Sequence, residues 1–477
     1  MFVAVVAVAS VVPVSLLVSM VRRVATRTVD CCLEHERQTS KFCLGPPRVE
    51  RVNRCDNDGR KSIMEIVHSR CAGMDVSKRD AKVCVRVAGR GRRQTVERVR
   101  TWGSTTNAVL ALREHLINEQ VSLVVMEATG DYWKPFYYLL EDADFEVMLV
   151  NARQVKNLPG RKSDVSDAAW LAQLGAHGLV RGSFVPPAPI RQLRDLTRAR
   201  TAMTRERGRE IQRLEKLLED AGIKLSSVAS DITCASGRLM LQGLIDGQHD
   251  PAVLADLAKR RLRAKIPELT EALTGRFSAH HTFLTGMYLD AIDQRSRQIA
   301  ELTARIEVVI EPFRSFCDLI GTIPGIGQRS AEVIVAETGA DMSIFPTAAH
   351  LASWAGCCPG SNESAGRVKS TATRPSNPYL KAALGAAALS IANTHNTYLA
   401  AKYRRIAARR GPKKALVAIE HTILIAIWNM AHTGALYDDP GADYYTHRDP
   451  ERPRRNAVTQ LQRLGYQVTL TPTAASA

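Results

Sequence analysis

The sequence lacks the cysteine spacings that build a metal knuckle or a disulfide framework. Ten cysteines are scattered over 477 residues with no CxxC pair, which argues against zinc-ribbon and disulfide-scaffold classes and gives no sign of an oxidising compartment. Acidic side chains are also in deficit. There are 48 of them against 65 Lys and Arg, leaving a formal charge of +17 and a pI near 9.6. Such an excess favours a polyanionic partner, and nucleic acid is the commonest one. The uncharged run Phe2–Val21 lacks the features of a secretory signal. No cation precedes it, no small-residue cleavage site follows it, and Pro13 interrupts it, although Arg22-Arg23 gives it the look of a membrane span. Residues 22–62 have no periodicity, and Cys31, Cys32, Cys43, Cys55 and His35 match no common zinc spacing. Met64 stands just before the first regular pattern. Residues 1–63 are therefore expected to be a non-native or disordered extension from a misplaced start codon.

What is present is an ordinary globular composition, 45% apolar and 24% charged, over a length that allows about three domains. Ile66–Val76, Ala81–Ala88 and Gln94–Thr101 read as strands joined by turns at Lys78-Arg-Asp80 and Gly89-Arg-Gly91. Ser104 is expected to cap a helix to about Asn118, with Val109, Leu110, Leu112 and Leu116 at helical spacing. Val121–Glu127 reads as a buried strand, Gly130-Asp131 as the start of a helix to Glu141, and Glu146–Val150 as a further strand. A helix carrying Asp164 then follows. Three antiparallel strands, helix, strand, helix, strand, helix is the order of a ribonuclease-H-like α/β domain. Pro186-Pro187-Ala-Pro189 predicts a linker. Two long charged helical patterns, 190–221 (Leu193, Leu196, Ile211, Leu214, Leu217, Leu218) and 278–312 (Leu284, Leu289, Ile292, Ile299, Leu302, Ile306), predict an antiparallel coiled coil. Between them, shorter helices are expected to break at Gly237, Gly243, Gly247 and Pro267.

Two centres carry chemistry. Asp164 and Asp167, three apart, fall on one helix face. Asp75 and Glu127 lie on apolar strands, where a lone ionised carboxylate is costly. Four such acids predict one site for a divalent metal with hard oxygen ligands, most plausibly Mg²⁺. The second centre follows a helix-hairpin-helix pattern, Thr322-Ile-Pro-Gly-Ile-Gly327. There Gly325 and Gly327 would present amide groups to a phosphate at a helix N-terminus. Ser364 sits in Glu363-Ser-Ala-Gly366, followed by Arg367, Lys369, Arg374 and Lys381, with Arg404, Arg405, Lys413 and Lys414 further on. A loop serine needs activation to attack phosphorus, whereas the cations suit salt-dependent phosphate contacts. A solvated helix face for the acid pair, and an ordinary loop serine, remain the bland alternatives.

Taken together, Gly73-Met-Asp-Val-Ser-Lys78, Met126-Glu-Ala-Thr-Gly130, Lys162-Ser-Asp-Val-Ser-Asp167, Ile323-Pro-Gly-Ile-Gly327, Trp354-Ala-Gly356 and Glu363-Ser-Ala-Gly366 resemble the insertion-sequence-110 group of transposases, including its 1111 relatives. The resemblance spans about residues 66 to 435. It implies an α/β plus α protein: a ribonuclease-H-like, resolvase-like catalytic domain at 64–185, a linker and coiled coil at 186–315, and a mainly helical transposase domain at 316–435. A flexible tail is expected at 436–477. It implies Asp75, Glu127, Asp164 and Asp167 as metal ligands and Ser364 as a nucleophile that cuts and rejoins DNA through a phosphoserine link. An element-encoded guide RNA, a homo-oligomer (dimer or tetramer) sharing composite sites, and a cytoplasmic, nucleoid-associated location without a membrane also follow from it. A metal-dependent nuclease for branched DNA, with Ser364 only structural, and a non-enzymatic nucleic-acid-binding protein are the competing readings.

Overall fold

A computed structural model describes residues 66–89, 94–128, 130–151, 167–360 and 362–470. The expected N-terminal extension, the turn around Arg90 and the position of Asp164 lie outside the described residues. The chain divides into two compact units, with the boundary between Pro186 and Pro187.

The first unit is a five-stranded mixed sheet. Its strands are β1 (Arg70–Val76), β2 (Asp80–Val87), β3 (Val96–Gly103), β4 (Leu123–Glu127) and β5 (Glu146–Val150), in the order β3-β2-β1-β4-β5. β1–β2 and β2–β3 are antiparallel hairpin pairs, whereas β4 and β5 add in parallel. The parallel additions follow from the helices between them, because a parallel crossover needs an intervening element. Those helices are α1 (Thr106–Asn118) and α2 (Trp133–Leu140); α3 (Asp167–Ala176) follows β5. Period-two alternation sorts the strands cleanly. Ala72, Met74, Val76, Val124 and Met126 pack with α1 and α2 on one face, while Cys71, Leu123 and Val125 pack with α3 on the other. Ser104 does not cap α1. The cap residue is Thr105, and the Ser104 hydroxyl instead donates to the Lys78 carbonyl at 3.1 Å, tying the helix entry to the β1–β2 turn.

The second unit is almost wholly helical. The expected proline linker holds the unit boundary between Pro186 and Pro187, and its second half already opens a helix: α4 runs Ala188–Asp220 with Pro187 as its cap residue and Pro189 in its first turn, where a missing N–H costs nothing. Its partner among the long helices is α9 (Ala279–Val309). Arg295 Nε lies 3.0 Å from Glu206 Oε2, and His281 Nε2 3.1 Å from Asp220 Oδ2. The numbering thus falls along one helix as it rises along the other, and the pair is antiparallel. Leu214, Leu218, Leu289 and Ile292 close the distal end of this arm, together with α5 (Leu225–Val228), α6 (Ala235–Ile245), α7 (Pro251–Asp256) and α8 (Ile266–Ala272). Two of the expected breaks are not breaks. Gly237 and Gly243 lie inside α6, where a Cβ would come 2.1 Å from the Ile232 carbonyl oxygen and 2.7 Å from Leu254 Cδ2. Close packing, not chain termination, requires glycine there. Pro267 opens α8 instead of ending a helix.

At the proximal end, Ile190 and Leu193 of α4 and Ile306 of α9 enter the main core. That core is built from α10 (Arg314–Gly321), α11 (Gln328–Thr338), α12 (Ala348–Trp354), α13 (Pro378–Ala392), α14 (Tyr398–Arg410) and α15 (Pro412–Thr433). α15 is long and apolar enough to cross a membrane by length and composition. Here Ala415, Ile419, Ile423, Leu424, Ile427 and Met430 are buried in that core. Beyond it, the segment expected as a flexible tail docks through Tyr444 and Tyr445, whose rings pack around Tyr398. It continues as α16 (Tyr444–Arg448) and the exposed α17 (Glu451–Arg463).

Candidate functional site

Alternation along β1 and β4 decides where the acids point. Cys71 on β1, and Leu123 and Val125 on β4, face α3, so Asp75 and Glu127, two or four residues further along, face the same way. The parallel register runs to Met74 beside Met126, which sets Asp75 and Glu127 next to one another at the same strand ends. The third partner comes from α3. A Cβ on Gly73 would lie 2.1 Å from the Ala168 carbonyl oxygen and 2.4 Å from the Ala172 amide nitrogen, so only glycine lets the helix settle on β1. The Cys71 thiol donates to the Ala172 carbonyl at 3.0 Å, fixing which turn meets which strand residue. α3 begins with Asp167, one turn from that contact.

The electrostatics follow. Burial first, and then the Asp167 charge, push the Asp75 carboxyl above its ordinary value of 3.8, partly offset by Lys82. Lys82 is paired directly opposite Asp75 on β2. Sequence reasoning missed it; the signal was the short turn Lys78–Asp80, which fixes the hairpin register. Among the described residues, no three His, Cys, Asp or Glu side chains form a finished metal cage. The donor chemistry nevertheless fits a hard divalent cation: carboxylate oxygens only, on one face, with the Asp167 charge adding to the cost of ionising Asp75. Cys71 and Cys84 are buried thiols pushed up to about 11 by burial, inert core groups as expected.

Ser364 lies in the second unit, on a hairpin of β6 (Asn362–Ser364) and β7 (Arg367–Ser370). Ser364 pairs with Arg367 across a two-residue turn. Both turn residues, Ala365 at φ +51° and Gly366 at φ +75°, are left-handed, the signature of a tight hairpin turn whose twist matches its strands. Ala365 is held there against the steric preference of an L-residue. The tripeptide read as a loop is therefore a projecting ribbon tip, and Ser364 is exposed on it. Arg367 and Lys369 alternate on β7, both exposed.

The other expected cations divide. Lys413 and Lys414 are exposed at the start of α15. Arg404 is exposed and donates to the Thr394 carbonyl at 3.2 Å, while the Arg405 guanidinium sits 4.4 Å over the Tyr445 ring. Arg374 donates to Ser353 Oγ at 3.1 Å. Lys381, partly buried, is turned inward onto Gly356 O and Thr373 Oγ1. Gly325 is left-handed at φ +86° and packs so tightly on α13 that a Cβ would lie 2.7 Å from the Ala387 carbonyl oxygen. Gly327 caps α11 with open space beside it.

Sequence reasoning also missed Glu337, a fully buried carboxylate on α11. Arg198 of α4 donates to both its oxygens at 2.8 Å, Arg194 approaches at 3.3 Å, and Asn377, which caps α13, donates at 2.5 Å. Nearby, Arg200 and Glu332 form a second buried pair at 2.5 Å. From sequence, the arginines of α4 fit a solvated face, or an arm contacting phosphate or another protomer. Three of them instead lock the arm to the core.

Two family models match the chain. Residues 72–223 match a model described as a transposase, of the DEDD type of IS110, and residues 317–404 match that of the transposase IS116/IS110/IS902 family. An uncharacterized 43.6 kDa protein of insertion element IS110 from Streptomyces coelicolor is 25% identical over 217 residues, covering 41% of this chain and 52% of that protein. The chain thus spans about half the length of this curated relative. The first match takes in the sheet with its converging acids, and the second runs through the core that carries the Ser364 ribbon. On these grounds the chain belongs to the IS110 family of transposases.

Proposed function

We propose that this protein is the recombinase of an insertion sequence, cutting and rejoining DNA strands with the Asp75 face of its sheet and the Ser364 ribbon. The observation that carries this reading is the convergence of Asp75, Glu127 and Asp167 on one face at one end of the sheet. Asp164, three residues before Asp167 in the sequence, is the fourth acid of the proposed set, and the unit is ribonuclease-H-like in its use of strand-end acids. A bound divalent cation, most plausibly Mg²⁺, would neutralise charge on the scissile phosphate. Ser364 Oγ attacks phosphorus: its O–P bond forms as one ester P–O bond breaks, and the departing strand end takes the proton the serine gives up. The reverse attack by a strand hydroxyl restores the serine. Bond energy is kept in the phosphoserine, so rejoining needs no nucleotide cofactor. Arg367 and Lys369 flank the tip to hold phosphate.

A composite site, the acids of one protomer with the serine of another, belongs to the proposal through the family resemblance. The helix-hairpin-helix turn at Gly327, the supercoiling of the α4–α9 arm, the element-encoded guide RNA and action on the bacterial nucleoid belong to it as well. Exposure of Ser364 at the ribbon tip also suits a second reading, in which the serine is only structural. A metal-dependent nuclease, cutting with water, would need only the acids.

Adduct trapping separates the two. Full-length protein is incubated with Mg²⁺, the element's flanking RNA and matching DNA, denatured, and examined for protein-linked DNA. An adduct lost in Ser364→Ala is expected. Cleavage without an adduct, kept in Ser364→Ala and lost in Asp167→Asn, would establish the nuclease instead.

A further inference from the structure

The ribbon that carries Ser364 has no buried face of its own. Glu363 and Ser364 on β6, and every residue of β7, are exposed, Val368 at 62%. A lone two-stranded hairpin is marginal in water. Its direction must therefore be set at its base, where the chain enters through Gly356–Gly360 and leaves through Ala372–Asn377. Pro359 bridges Thr373 there, and the Gly360 N–H donates to the Ala372 carbonyl at 3.1 Å. Gly356 is left-handed at φ +67°, and a Cβ on it would lie 2.6 Å from Ser376, so its carbonyl direction is fixed.

Lys381, on the first turns of α13, spans the two limbs. Its ammonium donates to the Gly356 carbonyl at 3.2 Å and to Thr373 Oγ1 at 3.3 Å. A partly buried cation held this way needs a counter-charge. Glu420 of α15, 7% exposed, lies within electrostatic reach of Lys381 and accepts from the Cys357 thiol at 3.6 Å. Burial raises the Glu420 carboxyl, and the Lys381 charge and then the thiol pull it back. The Cys357 thiol, pushed up to about 12, stays protonated and keeps donating.

We propose that Lys381 is a positioning residue for Ser364, an ammonium clamp across the base of the serine ribbon, and not a contact to phosphate. Ser364 stands four residues beyond Gly360, roughly 13 Å of extended chain. A tilt of about 10° at the base moves the hydroxyl by about 2 Å, and misplacement of about 1 Å can cost a hundredfold in rate. The catalytic consequence rests on the reading of Ser364 as nucleophile; the clamp does not.

The test is amide hydrogen exchange over residues 356–376 in full-length wild type, Lys381→Met, Lys381→Arg and Thr373→Val. The salt dependence of binding to a mixed-sequence DNA duplex is measured alongside. Lys381→Met is expected to speed exchange at Gly360 and along the ribbon about tenfold, the scale of one lost charged hydrogen bond, with α11 unchanged. Lys381→Arg is expected to restore most of the protection, and Thr373→Val to give a smaller, equally local effect. The salt slope stays constant. If Lys381→Met unfolds the unit globally, Thr373→Val decides, and a local acceleration there supports the clamp. Unchanged ribbon exchange overturns it, and a slope lowered by about one would make Lys381 a phosphate contact. Adduct yield is read on the same variants. If wild type gives no adduct, the nucleophile reading falls while the exchange result still judges the clamp.

Discussion

Gly73 and Ala168 approach so closely that a single methyl group on the strand residue would meet the helix carbonyl oxygen at 2.1 Å. This contact seats α3 on β1 and brings Asp167 within electrostatic reach of Asp75. Gly73→Ala is expected to destabilise the sheet unit by about 3 kcal/mol, the upper range for overpacking a core, because the opposing atoms are backbone and cannot swing away. Urea unfolding followed in the isolated first transition measures it. A cost below about 1 kcal/mol would mean that α3 is free to slide and that the acid geometry is loosely held.

Asp75 should make the sheet unit sensitive to pH and to metal. Burial and the Asp167 charge raise its folded-state pKa above the ordinary 3.8. The folded unit therefore binds that proton more tightly than the unfolded chain. The stability from this group is full below about pH 4 and is lost as pH rises through the raised folded value. Asp75→Asn is expected to raise the metal-free melting temperature at neutral pH and flatten this part of the pH profile. Mg²⁺ is expected to stabilise wild type and not the variant. A wild-type melting temperature indifferent to Mg²⁺ would count against the metal site.

Glu337 holds the arm to the core. Glu337→Ala leaves Arg198 and Asn377 with unpaired donors, which is expected to cost about 3–5 kcal/mol. Glu337→Gln should cost less, since it keeps the shape and one acceptor. Chemical denaturation of both variants measures the difference, and equal losses would mean that volume, not charge, matters there.

Lys413 and Lys414 are exposed at the start of α15, open to a phosphate. Replacing each with alanine is expected to lower the slope of log affinity against log salt by about one without changing sequence preference. Titrations on duplexes of different sequence, at several salt concentrations, test this. An unchanged slope would place the nucleic acid on another face.

Much of this architecture was legible in the chain itself. Alternating apolar residues set the strands, helical spacing set the two long arm helices, and an acid at the end of each buried strand marked the first centre. Those signals are local: a period of two or 3.6 residues is dictated by backbone geometry and needs no partner. Local signals misled where packing overrides them. Gly237 and Gly243 look like breaks, but they are glycines because Ile232 and Leu254 crowd them. Pro189 and Pro267 look like interruptions, yet at a helix start the missing N–H has no partner to lose. Charge was the least legible property. A lysine or arginine in a basic run carries no mark of direction, and only the fold turned Lys381 onto Gly356 and Thr373 and Arg198 onto Glu337, while leaving Lys413 and Lys414 in water. The sequence by itself determined which residues could be acids, cations or core. Tertiary structure decided which of them meet, because long side chains take their direction from neighbours distant in sequence, and a buried charge is tolerated only where the fold supplies its partner.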